Sequence, residues 1–521
     1  NGVIPAPSLL QGNQANAHLG ASLASAGDVN GDNFSDIIVG APHYDKSYPD
    51  QGLVRIYLGS ANGVKTNTPI TLAGQQTQEE FGRSVACAGD VQGDGYADVL
   101  VAARMQGKNL LNEGIVMLFS GIQTGIGKKP LSVFISGQAN AYLGQSLASA
   151  GDVNGDGFSD MLIGAHLYDH GENNEGAIMV WHGGASGPDT AAASALHCIQ
   201  PESQFGYAVS GAGDIDGDGY EDIIVGAPRY DNGQTDEGAA FLFKGTPHGI
   251  SKTPGNTLEA DQADAGFGTS VSTAGDINGD GYGDIIVGAL HYDSGEDEEG
   301  AAFVYMGSSS GLNPIPLKLE SNVAGAWFGC AVSHAGDLDD DGFSEIMVGA
   351  MNYSNGQSEE GAVFIFPGSP GGPDLARLRI IESDQEDARL GNAVSPAGDL
   401  NGDGRDDIVA GAYSVGDYDA GAIFIGYGKD NALDSLKMDC IKSTEDQAHF
   451  GWDVSGAGDL NGDGFHDLIV GAHAYDNGDG AAHIYYGSAA GITQGNVTHL
   501  YAHETGMAAA MGESVAGAGD L

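Results

Sequence analysis

Basic residues are scarce: 19 Lys and Arg stand against 71 Asp and Glu in 521 residues, a formal charge of -52. Nucleic-acid recognition rests on Lys and Arg neutralising phosphates, so this balance excludes a nucleic-acid binder of ordinary kind. Cysteine is scarce too. Cys87, Cys198, Cys330 and Cys440 stand 111, 132 and 110 residues apart, unlike the clustered spacing of a disulfide framework or a zinc site. Most are expected as buried free thiols at small-residue core positions. No run of 18 apolar residues occurs, so no membrane-spanning helix is expected. The opening NGVIPAPSLLQG has neither a basic leader nor an apolar core, and a secretion signal is expected to be absent or already removed. HExxH, a Walker loop and a Cys-His pairing are missing, which leaves zinc-hydrolase and Cys-His chemistry without its parts, and the one GxSxG match is the Ser-rich text GSSSG at 307–311. RGD is missing as well, and DGR at 403–405 falls inside an acidic turn.

Apolar residues make up 41%, with 20 Tyr and 17 Phe, too many for a disordered acidic chain. Glycine is abundant, at 86 residues, and a repeat accounts for it. The text AGD followed by Val, Ile or Leu occurs nine times, with its Asp at 28, 90, 152, 214, 276, 337, 399, 459 and 520. A period of 60 to 62 residues over the whole chain means one supersecondary unit copied eight times, with the start of a ninth. Residues 142–200 show the unit: strand text YLGQSLASAG, the turn DVNGDGFSD, the apolar run MLIGAHL, the polar loop YDHGENNEG, then strands AIMVWHG and ALHCIQ. Such short runs punctuated by Gly, Asp and Asn are strand and turn signals.

Four-stranded repeats assemble as a propeller or as an open solenoid. Text such as IIVGAP at 37–42 and 223–228 favours the propeller, since Gly and Ala suit crowded packing between neighbouring blades. The expected fold is all-β: a single β-propeller over 1–521, with eight blades favoured over seven. Residues 1–17 are expected as a closing fourth strand that hides an edge, and 505–521 as the start of a ninth repeat.

The turn after each AGD carries oxygen donors at positions 1, 3, 5 and 9. Calcium takes six to eight oxygens, and donors at 1, 3 and 5 with a backbone carbonyl at 7 can wrap one ion. Four sets are Asp28, Asn30, Asp32, Asp36; Asp90, Gln92, Asp94, Asp98; Asp152, Asn154, Asp156, Asp160; and Asp214, Asp216, Asp218, Asp222. The other four are Asp276, Asn278, Asp280, Asp284; Asp337, Asp339, Asp341, Glu345; Asp399, Asn401, Asp403, Asp407; and Asp459, Asn461, Asp463, Asp467. One such turn could be an ordinary Asx turn, but eight copies point to about eight calcium ions. Gln92 and Glu345 depart from the pattern, and Asn33 takes the sixth-position place that is usually Gly. The ligand positions of these loops hold 26 of the 71 acids, so 45 others still outnumber the 19 bases.

FG or LG precedes each unit, as at Leu19-Gly20, Phe81-Gly82, Leu143-Gly144, Phe205-Gly206, Phe267-Gly268, Phe328-Gly329, Leu390-Gly391 and Phe450-Gly451. With GD, the DxNGDGxxD loop and VGAP, this text resembles the FG-GAP repeat of integrin alpha-chain propellers. The resemblance implies calcium loops joining strands 1 and 2 on a lower face, and ligand-binding 4-to-1 and 2-to-3 loops on an upper face. A loop in every complete repeat, and more than seven repeats, depart from that family and look more like a prokaryotic surface or secreted protein.

On the implied geometry the 2-to-3 loops bring His43, Tyr44, Tyr168, Arg229, Tyr230, His291, Tyr292 and Tyr475 to the upper mouth. These are candidate contacts for a partner, although a Tyr that recurs with the blade can equally serve the blade. In blade two Arg104 and Lys108 replace that text, and sequons occur at Asn33, Asn352 and Asn496. The expected function is a calcium-binding extracellular adhesion, interaction or surface-structural module with no catalytic residues. Its partner would be a protein or carbohydrate, or further copies in a surface layer or filament. The alternative is a scaffold or accessory domain of a secreted lyase or lipase-like enzyme, with chemistry at the mouth.

Overall fold

The computed structural model describes residues 10–11, 14, 16–107, 110–188, 194–416, 418–429, 437–493 and 497–501. Each repeat forms one antiparallel four-stranded sheet in simple meander order. Blade one is Ser22–Gly27, Asp36–Ala41, Leu53–Tyr57 and Ile70–Ala73. Blade eight is Val454–Gly458, Asp467–Ala472, Ala481–Tyr485 and Val497–Tyr501. The innermost strand of each blade packs against that of the next, and Val454–Gly458 packs against Ser22–Gly27. The eight blades therefore close into a ring.

The FG text explains how neighbours join. In six blades the Gly before strand 3 pairs with the Phe or Leu that opens the following blade, as in Gly52 with Phe81 and Gly238 with Phe267. The same bridge, Gly480 with Leu19, joins blade eight to blade one. Glycine is required there: Gly238 has φ +79°, and a Cβ on it would stand 2.2 Å from the carbonyl oxygen of Phe267. Gly157 has a similar φ of +85° but open space around it. Gly157→Ala is expected to cost about 1 kcal/mol for the left-handed backbone alone. Gly238→Ala should cost at least about 3 kcal/mol, because overpacking adds to that strain. Denaturant titration of both variants measures the difference.

Strand 2 of every blade is buried along its whole length, and Phe81, Phe205, Phe267, Phe328 and Phe450 are fully buried between blades. Inner strands are made of small residues, and those of blades five to seven are only half-buried at mid-strand, for example Ser270–Thr273. This corrects the cysteine expectation. All four thiols are free, but Cys87 and Cys330 are half-buried on inner strands Phe81–Gly89 and Phe328–Gly336, Cys198 is half-buried, and Cys440 is exposed on the outer strand Lys437–Lys442.

The N-terminal segment also differs from expectation. Val497–Tyr501 fills the fourth position of blade eight, so Leu10–Gln11 pairs parallel to it as a fifth, outermost strand. Residues 505–521 lie outside the described residues, as do Lys108 and Asn496. Among the described residues no helix is long and apolar enough to cross a membrane.

Candidate metal centres and the opposite face

All eight acidic turns lie between strands 1 and 2 on one end of the ring, and a shared hydrogen-bond frame holds them. In blade three the carboxylate of Asp152, at position 1, accepts N–H bonds from Gly155 (2.7 Å), Asp156 (3.0 Å) and Gly157 (2.7 Å). Asn154 accepts from Asp156 N–H at 2.9 Å, and Asp156 from Phe158 N–H at 3.1 Å. Each loop also grips its neighbour. Gly155 leaves the gap into which Tyr220 of the next loop fits, a Cβ there standing 2.7 Å from the ring. Asp340 replaces that Gly in the sixth loop, with φ +56°, and Arg405 replaces the aromatic in the seventh.

The ninth-position acids have a second task. Asp160 is buried; its Oδ2 accepts the N–H of Val153 (3.0 Å) and its Oδ1 that of Gly183 (2.8 Å), just past strand 3. Asp36, Asp98, Asp222, Asp284, Glu345, Asp407 and Asp467 repeat both bonds. They pin the acidic turn to the third strand. Burial pushes Asp36, Asp98, Asp222, Asp284 and Asp407 up to about 7 and Glu345 up to about 8, since desolvation disfavours the charged form.

Two loops have Asp at position 3, and each brings three carboxylate oxygens within 4.8 Å: Asp214, Asp216, Asp218 and Asp337, Asp339, Glu345. One oxygen each of Asp216 and Asp339 is buried without a hydrogen-bond partner. An all-oxygen donor set with orphaned carboxylate atoms fits a hard divalent cation. These two loops also carry a protein cation that sequence reading missed. Lys244 Nζ lies 2.5 Å from Asp216 Oδ2, while Arg377 pairs with Asp339 and lies 3.4 Å from Asp341. Each offsets one carboxylate of its loop, as Lys65 does for Asp32 at 3.7 Å in the first loop and Arg405 for Asp403 at 3.4 Å in the seventh. Lys244 stands just before the Gly that follows strand 3, and His182 takes that place in blade three, 3.2 Å from Asp160 Oδ2. That shared position was the available signal.

The opposite end carries the 2-to-3 loops. Tyr44, Tyr168, Tyr230, Tyr292 and Tyr475 pack on the blade cores, with Tyr230 edge-on to Phe241 and Tyr292 to Phe303. His43 lies 3.2 Å from Asp50, His291 sits edge-on to Trp327, and Arg229 is exposed. Arg104 is held by Glu80 at 3.3 Å and donates to Gln145 at 3.0 Å. Of the sequons, Asn33 sits inside a loop at φ +63°, and Asn352 accepts a hydrogen bond from Arg389.

Residues flanking the FG text add a patch that sequence reading passed over. His43, His18, His473 and His449 form a chain with ring centroids 5.1, 5.8 and 5.1 Å apart, and Trp452 lies 4.6 Å from His473. Burial, then neighbouring His and Arg83, lowers His18 to about 4 and His473 to about 3. His18 and His473 are therefore neutral at neutral pH, and the patch spans blades seven, eight and one.

The FG-GAP repeat family matches residues 19–57, 143–181, 205–243, 267–305, 331–366, 390–425 and 450–485, just over half of the chain. Blade two, whose 2-to-3 text departs most, falls outside these matches. The chain is 33% identical to integrin alpha-5 of Xenopus laevis over 223 residues, 41% of this chain and 20% of that protein. It is 36% identical to integrin alpha-IIb of Mus musculus over 209 residues (38% and 19%), and 30% identical to integrin alpha-V of Gallus gallus over 250 residues (46% and 23%). The matched region spans about a fifth of the length of these relatives.

Proposed function

From the premise that this chain belongs to the FG-GAP repeat family, we propose that it is a calcium-stiffened extracellular adhesion module, with no catalytic role, that binds a protein ligand. Calcium would sit in the eight lower turns, held by the residues at positions 1, 3, 5 and 9. The carrying observation is the contrast between the two ends of the ring. The acidic turns keep one hydrogen-bond frame around all eight blades, as a structural ion site requires. Six of the eight opposite loops keep a Tyr at the blade-packing position, and the residue before it varies, from His43 to Arg229 to His291. A rigid ring with one constant and one variable end suits recognition by the variable end. Its likeness to integrin alpha chains supports an extracellular adhesion role, and residues 505–521 would open a further repeat beyond the ring.

The test coats the protein on a surface and measures cell adhesion. Adhesion should require calcium and fall when Arg229 and His291 are both replaced by Ala, while Lys252→Ala, at an exposed position between strands 3 and 4 of blade four on the opposite end, leaves it unchanged. Adhesion equal across these variants would overturn the assignment of the binding face.

A further inference from the structure

Blade three holds a donor cluster apart from the acidic turns. The strand register sets residue 197 opposite Ala177, two residues beyond the buried Glu175 of the 2-to-3 loop. His170, Glu175 and His197 thereby place one donor atom each within 4.8 Å of one another. His170 Nδ1 lies 4.0 Å from Glu175 Oε1, and the two imidazoles face each other with centroids 3.7 Å apart. Glu175 is fully buried. The N–H groups of His170 and Glu172 turn toward its carboxylate, yet neither oxygen completes a hydrogen bond. A buried carboxylate without a partner is costly, and its backbone cannot retreat, because Glu175 C=O accepts from Ser203 Oγ at 2.7 Å and Phe205 N–H at 3.2 Å.

Blades four and six fill this place differently. In blade four Asn232 donates its side-chain N–H groups to Glu259, at 2.8 and 2.9 Å, and its backbone N–H to Glu237. Blade six repeats the arrangement with Asn355, Glu382 (2.9 Å) and Glu360 (2.7 Å). Register makes His197 the counterpart of Glu259 and Glu382, and His170 stands two residues after the loop Tyr as Asn232 does. Blade three has therefore exchanged both members of a hydrogen-bonded Asn–Glu pair for His, beside a buried Glu whose oxygens, like those of Glu299 in blade five, complete no hydrogen bond.

We propose that His170, Glu175 and His197 form a binding site for one divalent transition-metal ion of the zinc class. Two imidazoles and one carboxylate, with an exposed side left for water, match the ligands such ions take. The donor set is unsuited to calcium, which prefers oxygen throughout. The two rings, His170 being exposed, need only splay from their stacked contact to bring both nitrogens onto one ion.

The test titrates zinc into protein already saturated with calcium, reading bound zinc by mass spectrometry and affinity by calorimetry. One tightly bound zinc per chain is expected. His170→Ala and His197→Ala should each weaken it by more than about a hundredfold, beyond the roughly 10- to 100-fold usual for losing an outer-shell partner. The double variant His170→Asn with His197→Glu rebuilds the pair of blades four and six, so it should fold normally and lose the zinc. His248→Ala, at an exposed histidine elsewhere, should change nothing. No zinc retained above calcium saturation, or zinc retained undiminished by the double variant, would overturn the proposal. Either result leaves the calcium reading of the lower turns untouched.

Discussion

Excess chelator is expected to lower the melting temperature of this propeller by on the order of 20 °C, through the linkage and unfolding entropy of a chain this size. Each ion that binds only the folded state contributes about 2.7 kcal/mol at a free concentration one hundred times its Kd. Eight such sites supply roughly 20 kcal/mol, against an unfolding entropy of about 1 kcal/mol per kelvin for about 500 residues. The effect should also depend on pH. Without metal, burial holds Asp36, Asp98, Asp222, Asp284 and Asp407 at about 7 and Glu345 at about 8, above their unfolded values. The folded state then binds these protons more tightly, a contribution fully present below about pH 4 and lost as pH rises through 7 to 8. Calcium binds the ionised carboxylates, so its stabilisation grows over the same interval. Melting curves with calcium and with chelator at pH 5 and pH 8 should separate more widely at pH 8. Curves that coincide at both pH values, with no metal bound, would remove the calcium reading of the turns.

The blade period and the acidic turns were legible because both are written locally. A fixed interval between AGD texts, and donors at positions 1, 3, 5 and 9, need no knowledge of distant contacts. The FG text was legible as a marker but not as a mechanism. Its role emerges when Gly480 bridges Leu19 across the seam between the last and first blades. What stayed hidden depends on register. Lys244 meets Asp216 from 28 residues away, and Arg377 meets Asp339 from 38. His170 and His197 come together only because strands 3 and 4 of their blade align residue 197 with 177. The cysteine expectation fails for a related reason: an inner strand built of small residues looks like core text, yet Cys87 and Cys330 on such strands are only half-buried. The fourth strand of blade eight, VTHLY at 497–501, was overlooked in favour of the N-terminal segment, which takes the place outside it.

Within a single turn the ninth-position acid should behave unlike the other donors, and blade five gives the cleanest comparison. Asp284 is buried, and its two oxygens accept from Ile277 N–H at 3.0 Å and Gly307 N–H at 2.7 Å. Asp280 is exposed, and its carboxylate accepts only from Tyr282 N–H, at 3.2 Å. Asp284→Ala strands two buried amide donors, each costing about 1 to 3 kcal/mol, so a loss of about 3 to 5 kcal/mol is expected in chelator as well as in calcium. Asp280→Ala should cost about 0.5 kcal/mol or less in chelator, as surface substitutions do. In calcium it should cost more, about the linkage contribution of the one site it damages. Asp284→Asn should fall between, because an amide can accept one of the two N–H groups through its oxygen but turns a donor toward the other. Denaturant unfolding of the three variants with and without calcium reads these values directly. If Asp284→Ala in chelator costs no more than Asp280→Ala, the ninth residue is a metal ligand alone, and the strand-3 amides at all eight blades must find their partner elsewhere.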